Sequence, residues 1–457
     1  MGHDVSDGSA SRFFGATRRG LLWTAGGSAL FASGLPWSAP ASRVFAQAKP
    51  SKLVYGNIGP SGADDAVFQE GVDLFTKATG IPVDIQLGGD AELFQKILAW
   101  VASGQQLDAV FVRENFLAPF INEGVLRPVD GLPGLEELKP QITTLYLQSM
   151  EQKGKTWGLP YYSEVETCWL NEDKAKRASM TGAPKTWEEL TDICLKAKKD
   201  GIAKYPMVWA AGQGDHHLPW QWFTQVCSRG GKLFDEKYAP MLGPGSIARE
   251  ALVWWRKTFI DWQITDPRSV ELRYIPAMKA FGTGDYLFGL VIFQTWLQDA
   301  QDPKKSAIAG RVRLFQMPGN GKSIGYARLH GMSASTATPD WTWKLMSTLA
   351  AKAPSGEFAV PTDWSIKRGY VPAYKAVWGN PALKAAWSKW VDVDALRTQI
   401  DNAVHSSVVV SASYESWYPQ WLDFVNVALQ NCVIGKISAE QACDQMTDKA
   451  VALAKAG

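Results

Sequence analysis

The chain has 457 residues, 46% of them hydrophobic and 12% aromatic, with 47 lysines and arginines against 45 aspartates and glutamates. The small positive excess resides in the first 48 residues, where Arg12, Arg18, Arg19 and Arg43 face only Asp4 and Asp7, so residues 49–457 carry 43 groups of each sign. This balance excludes the basic footprint of a nucleic-acid or anionic-membrane binder, and the length exceeds one ordinary core and predicts two domains.

Residues 1–48 read as an export leader. Thr17-Arg18-Arg19-Gly20-Leu21-Leu22 is a twin-arginine pattern, and Ala46-Gln47-Ala48 is a small-residue cleavage site. The apolar run between them is broken by Gly26, Gly27, Gly34 and Pro36, which makes it too short to span a membrane. No cysteine follows the cleavage site, so a soluble periplasmic protein without a lipid anchor is expected. Five cysteines (Cys168, Cys194, Cys227, Cys432, Cys443) lie far apart without metal-ligand spacing. They read mostly as buried thiols, although Cys432 and Cys443 flank a short turn across which two helices could be bridged. Twenty-one tryptophans are well above ordinary usage and raise the question of ligand stacking.

In chain order, Leu53-Val-Tyr55 predicts a strand, residues 64–78 an amphipathic helix stopped at Gly80, and residues 81–87 a second strand. Asp90 is placed to cap a helix over 91–103, and residues 107–112 predict a third, buried strand. This alternation implies a mostly parallel sheet covered by helices. Residues 157–170 read as one long extended segment, a domain crossing made of strand, which suggests a hinge. Thr186-Trp187-Glu188-Glu189 opens a helix with a capping box, and a largely helical, aromatic region follows through Asp299. Residues 311–318 and 324–333 form a second extended run returning to the first domain, and Ser438-Ala-Glu-Gln441 caps the last helix.

The tests for chemistry are mostly negative. Residues 317–323 (MPGNGKS) lack the first glycine of a phosphate loop, Gln316 standing in its place, and no H-E-x-x-H or G-x-S-x-G occurs. Glu164 and Glu166 share one face of a strand, which does not naturally flank a glycosidic bond with an acid and a base. In Gly214-Asp215-His216-His217-Leu218-Pro219-Trp220, adjacent histidines seldom converge. Only His330 and His405 remain in residues 49–457 to complete a ligand set, so no metal is expected.

The order and spacing of several blocks resemble one family across nearly all of residues 49–457. They are 103–110 (SGQQLDAV), 122–130 (NEGVLRPVD), 154–160 (GKTWGLP), 170–174 (LNEDK), 184–190 (PKTWEEL), 281–285 (FGTGD) and 434–442 (IGKISAEQA). The family is that of the bacterial extracellular solute-binding proteins of carbohydrate ABC transporters, the maltose-binding-protein-like group. The resemblance implies an α/β periplasmic binding protein type II fold, two α/β lobes joined by crossing strands with a ligand cleft between them. The signal would occupy 1–48, lobe 1 residues 49–162 and 311–345, and lobe 2 residues 163–310 and 346–457.

A sugar offers polar edges and C–H-lined faces, so its site pairs flat rings with bidentate polar groups. Carried over onto this sequence, the family's positions fall on Asn57, on Arg113, Glu114 and Asn115 after the third strand, and on Tyr161 and Glu164 in the crossing. They also fall on Trp220 after a proline, Trp296 at a strand end, Arg328 on the return strand, with His330 a further candidate there, and Trp417 or Tyr418 late in the chain. Two departures bear on which sugar fits: Gln294-Thr295 replaces the usual glycine or serine before Trp296, and Leu218 stands where a polar residue is common. Trp254, Trp255, Trp341, Trp343, Trp387 and Trp390 are expected as packing. The resemblance thus implies a monomeric, non-enzymatic periplasmic protein without cofactor that passes a sugar, sugar alcohol or oligosaccharide to ABC permease subunits. The alternatives are a secreted carbohydrate hydrolase and a binding protein for a polar non-sugar such as a glycerol phosphate ester.

Overall fold

Among the described residues, one sheet runs through the molecule in the order Val83–Gly88, Leu53–Ile58, Ala109–Val112, Ile324–Met332, Leu159–Asn171, Phe288–Phe293, Met207–Trp209. The computed structural model describes residues 48–59, 64–89, 92–214, 217–353 and 355–456, without the side chains of Glu114, Asn115, His217 and Val291. The leader through residue 47, the Asp90 cap, Asp215 and His216 therefore lie outside the described residues.

The first three strands of that order pair in parallel, with Tyr55 opposite both Ile85 and Ala109. Strand Met207–Trp209 pairs in parallel with Phe288–Phe293 at the far end. Between these two sets run two antiparallel strands. Leu159–Asn171 is 13 residues long, about 40 Å at the rise of an extended chain, which is enough to belong to both halves. Ile324–Met332 lies beside it, with Tyr326 opposite Glu164 and Leu329 opposite Pro160. The two backbones approach so closely that a Cβ on Gly158 would stand 2.5 Å from the His330 carbonyl oxygen, which explains the glycine in the 154–160 block.

The helices begin and end where their sequences provide for it. Asp65 caps Ala66–Thr79 by accepting from the Val67 amide, and Gly80 closes it at φ 69°. Ser438 and Gln441 exchange reciprocal side-chain-to-amide bonds at 3.1 and 2.9 Å, a complete capping box. At the other predicted box Thr186 accepts from the Glu189 amide, but Glu189 reaches back one residue further, to the Lys185 amide.

Apolar side chains gather into two main cores and a small third cluster. The first collects residues between 53 and 165 and between 327 and 403, and the second residues between 168 and 326 and between 409 and 450. Trp169, Val208 and Phe281 centre the third cluster. The sequence reading places the return to the first lobe at residue 311 and the departure at 346; the packing places them near 327 and 403. The reason is physical: a strand that crosses between two cores is apolar throughout, so nothing in its composition marks where its side chains change sides. Helices Ala359–Arg368, Pro381–Trp387 and Val393–Asp401 send Trp364, Trp387 and Ile400 into the first core, not the second. Trp254, Trp255, Trp343 and Trp387 are buried packing residues, and Trp341 and Trp390 pack half-buried on the first core. All five cysteines are buried and none is in a disulfide, so the Cys432–Cys443 bridge is not formed.

Candidate functional site

The parallel strands of the two halves end toward each other. Val112 lies opposite Leu329, itself opposite Pro160, while Phe293 lies opposite Glu166, so residues 160–166 of the crossing strand floor the space between two sets of strand carboxyl ends. Strand carboxyl ends are where open α/β sheets bind ligands.

On this floor Glu164, 9% exposed, accepts hydrogen bonds from Thr295 Oγ1 on one carboxylate oxygen and from the Tyr326 hydroxyl on the other. Arg328 stacks its guanidinium over the Tyr326 ring at 3.9 Å, and the Tyr162 ring lies 6.0 Å away. One tyrosine thus stands between an acid and a base. Trp220, in the first turn of helix His217–Ser228, meets the Tyr326 ring edge-on at 5.0 Å and the Phe293 ring at 6.4 Å and 90°. Glu164, Trp220 and Arg328, three of the residues singled out from the sequence, thus meet around Tyr326, which with Phe293 the sequence reading did not name. Strand alternation would have found Tyr326, which lies two residues before Arg328 on the same face.

Gln294-Thr295, read only as departures from the family pattern, each hold the crossing strand. Thr295 donates to Glu164, and Gln294 accepts from the Val165 amide at 2.6 Å while donating to the Gly369 carbonyl at 3.2 Å. Gly369, at φ 71°, turns the chain so that Tyr370 stacks on Tyr162 at 4.4 Å. Tyr370 lies within electrostatic reach of Glu164, Asp65 and Arg328, a further member of this floor that sequence reasoning passed over.

The first-lobe side is built differently. The Asn57 amide approaches the Tyr161 hydroxyl at 3.5 Å, and Tyr161 stacks on His330 at 4.2 Å and 28°. His330 Nδ1 is paired with the Tyr55 hydroxyl at 2.7 Å, and complete burial pushes its pKa down to about 3, so the ring is neutral. His330 lies within this packing and not on an open wall. Arg113 directly follows strand Ala109–Val112, precedes helix Glu114–Asn122 and lies 5.8 Å from the Phe116 ring. The Glu114 and Asn115 side chains lie outside the description.

Two further aromatic candidates pack against the second and third clusters. Trp296 is half-buried at a 3₁₀ turn between the second and third clusters. Trp417 is 8% exposed, just before helix Tyr418–Val433, with Phe234 of the second core 5.8 Å away, while Tyr418 packs on Trp421 at 5.9 Å.

Glu166, on the same strand face as Glu164, is wholly buried. It accepts from Thr224 and, at 2.6 Å, from the Tyr274 hydroxyl, and burial pushes its pKa up to about 8 against the pull of those two donors. No group of three or more His, Cys, Asp or Glu able to hold a metal occurs among the described residues.

Two α/β lobes and a shared sheet with antiparallel crossing strands define the type II periplasmic binding protein fold. Residues 59–267 match the family model of the bacterial extracellular solute-binding proteins. The chain is similar in fold to the maltose-bound MalE3 of T. maritima, with a TM-score of 0.71 at 19% identity over 88% of this chain and 99% of that one. It is also similar in fold to an ABC-transporter solute-binding protein of Agrobacterium radiobacter K84 in complex with ribitol, with a TM-score of 0.68 at 18% identity over 88% and 99%. A Brucella abortus protein described as a binding protein is 20% identical over 82% of this chain and 86% of its own length. A Sinorhizobium fredii protein described as the periplasmic-binding protein of an amino-acid ABC transporter is 25% identical over 53% and 57%.

Proposed function

We propose that this solute-binding protein of an ABC transporter captures a neutral polyhydroxylated solute, a sugar, sugar alcohol or oligosaccharide, by closure of its two lobes and delivers it to the permease. The observation that carries this reading is the Glu164–Tyr326–Arg328 group beside the Trp220 ring. An acceptor, a hydroxyl and a planar donor lie within one aromatic corner and suit adjacent hydroxyls on a C–H-lined face. Glu164 and Arg328 offset each other in formal charge, which favours a neutral solute over a phosphate ester. On this reading Asn57, Tyr161, Arg113, Glu114, Asn115 and Trp296 complete the lining from their strand ends and helix starts, while Trp417 serves the second core beside Phe234.

The hydrolase alternative needs a second carboxyl at the scissile bond. Glu166, the carboxyl nearest in sequence on that strand face, is sealed behind Thr224 and Tyr274 and presents no surface to a substrate. Export by the twin-arginine route, cleavage after Ala48 and a monomeric state belong to the same proposal.

The test is a thermal-shift screen of the protein over mono-, di- and oligosaccharides, polyols, amino acids and glycerol phosphates, with product analysis on each hit. A shift with a sugar or polyol and no product supports the reading. Shifts confined to amino acids or phosphate esters, or turnover at catalytic protein concentration, overturn it. N-terminal sequencing of the exported protein checks the leader, the expected first residue being Lys49.

A further inference from the structure

Glu166 is a carboxyl with no exposure, placed where it cannot touch a solute, yet it is bonded to two helices that carry the aromatic wall of the cleft. Its first partner, Thr224, lies four residues beyond Trp220 on helix His217–Ser228, the spacing that sets two side chains on one helix face. Its second partner, Tyr274, opens helix Tyr274–Gly282 and stacks its ring on Phe293 at 4.1 Å and 28°. Phe293 stands directly opposite Glu166 in the strand pair and edge-on to Trp220. One carboxyl therefore closes a ring of contacts: Trp220, Thr224, Glu166, Tyr274, Phe293 and back to Trp220.

We propose that Glu166 is a positioning residue for this aromatic wall, a proton-controlled brace between helix His217–Ser228 and helix Tyr274–Gly282. Its bearing on affinity rests on the reading of the cleft as a solute site; the brace itself does not. While the carboxyl is neutral, it sits among aromatic rings at little electrostatic cost. Once ionised, it places a charge in a sealed apolar surround, and the contacts to Thr224 and Tyr274 must adjust to solvate it.

The other groups facing it leave the transition to Glu166. Burial holds the Tyr274 and Tyr326 phenols well above their usual range and pushes the Cys227 thiol up to about 12. Lys322 acts on Cys227, Arg328 lies over Tyr326, and Glu164 is bonded to Thr295 and Tyr326.

The experiment uses the full-length mature protein labelled with 5-fluorotryptophan, with the Trp220 fluorine resonance assigned by Trp220→Phe. It needs no ligand. In the wild type this resonance is expected to move between pH 6.5 and 9.5 with a midpoint near 8. In Glu166→Gln, which keeps an amide acceptor and the side-chain length, it should keep its low-pH position throughout. In Glu166→Leu, which loses both bonds, it should be displaced at every pH. A Trp220 resonance indifferent to pH in the wild type, or a titration that persists unchanged in Glu166→Gln, overturns the proposal. Should Glu166→Leu fail to fold, the Glu166→Gln comparison alone decides. A second arm titrates maltose, ribitol and D-mannitol by calorimetry at pH 7 and 9. Any of them that binds should weaken at least threefold at pH 9 in the wild type and not in Glu166→Gln. Absence of binding by all compounds of the wider screen would sink the functional reading while the fluorine data still decide the brace.

Discussion

The two sides of the cleft floor solve the same problem with opposite chemistry. On the first-lobe side a histidine, His330, is stripped of water, stacked on Tyr161 and satisfied at Nδ1 by Tyr55. On the second-lobe side a carboxyl, Glu166, is stripped of water and satisfied by Thr224 and Tyr274. Burial disfavours charge in both, so it lowers the base to about 3 and raises the acid to about 8. Both stay uncharged at neutral pH, but only the second has its transition within reach of mildly alkaline conditions. The first-lobe group holds its uncharged state down to a far lower pH than neutrality, whereas the second-lobe group loses it just above neutrality.

The largest effects come from testing which side holds the stacking rings. Trp220→Ala should abolish most sugar or polyol affinity, by about 1.5 kcal/mol or more, as expected for a ring that stacks on a solute. Trp417→Ala, which strips a ring from the second core next to Phe234, should instead cost about 3 to 5 kcal/mol of stability by denaturant unfolding. Its affinity per folded molecule should be nearly unchanged. A Trp417→Ala protein of wild-type stability that no longer binds would place that ring in the site and reverse the assignment.

The pH comparison follows with its sign worked out. Native Glu166 holds its proton up to about 8, whereas the unfolded chain releases it near 4.5; the native state binds more protons in that window, so stability falls as pH rises through it. Native His330 refuses a proton down to about 3, whereas the unfolded chain takes one near 6.5, so stability is lost as pH falls from 6.5 to 3. Each slope is about 1.4 kcal/mol per pH unit, and the two cancel between 4.5 and 6.5. Denaturant midpoints should therefore be flat there and drop on both flanks by about 2 kcal/mol from these two groups. Glu166→Gln should remove the alkaline descent and His330→Gln the acid one. A variant that leaves its own flank intact would show that its group does not titrate as the burial implies.

Much of this was legible in the sequence, and the parts that were not share a cause. Glu164 and Arg328 were named through the family resemblance, the first four residues past Pro160 in the crossing strand and the second on the return strand. The brace could not be named, because Glu166 and Tyr274 are 108 positions apart and nothing local pairs them. Gln294 and Thr295 looked like losses against a family pattern and prove to be hydrogen-bonding gains, since pattern comparison sees what is replaced and not what the new side chain reaches. The helices over 359–401 were given to the wrong core because amphipathic periodicity says that a face is buried without saying against what.

A smaller effect separates the two sides at the level of single hydroxyls. Thr295→Val removes one of the donors to Glu164 and should weaken binding by about 1 to 2 kcal/mol, a bond to a carboxylate being worth more than a neutral one.

The smallest differences are expected from the two phenols, and they test the comparison directly. Tyr55→Phe leaves His330 Nδ1 without its 2.7 Å partner and should cost about 1 kcal/mol of stability, independent of pH between 7 and 9 because neither group changes charge there. Tyr274→Phe removes the 2.6 Å bond to Glu166. At pH 6.5 that is a bond to a neutral acid, worth about as much as the Tyr55 bond. By pH 9 it is a bond to a carboxylate, worth about 1.5 to 3 kcal/mol. Unfolding curves of the two variants should thus coincide in their losses near pH 6.5 and separate by about 1 kcal/mol near pH 9, with Tyr274→Phe the weaker. Parallel losses at both pH values would mean that Glu166 keeps one charge state across the range, and the asymmetry between the two sides of the floor would then lie in their packing and not in their proton chemistry.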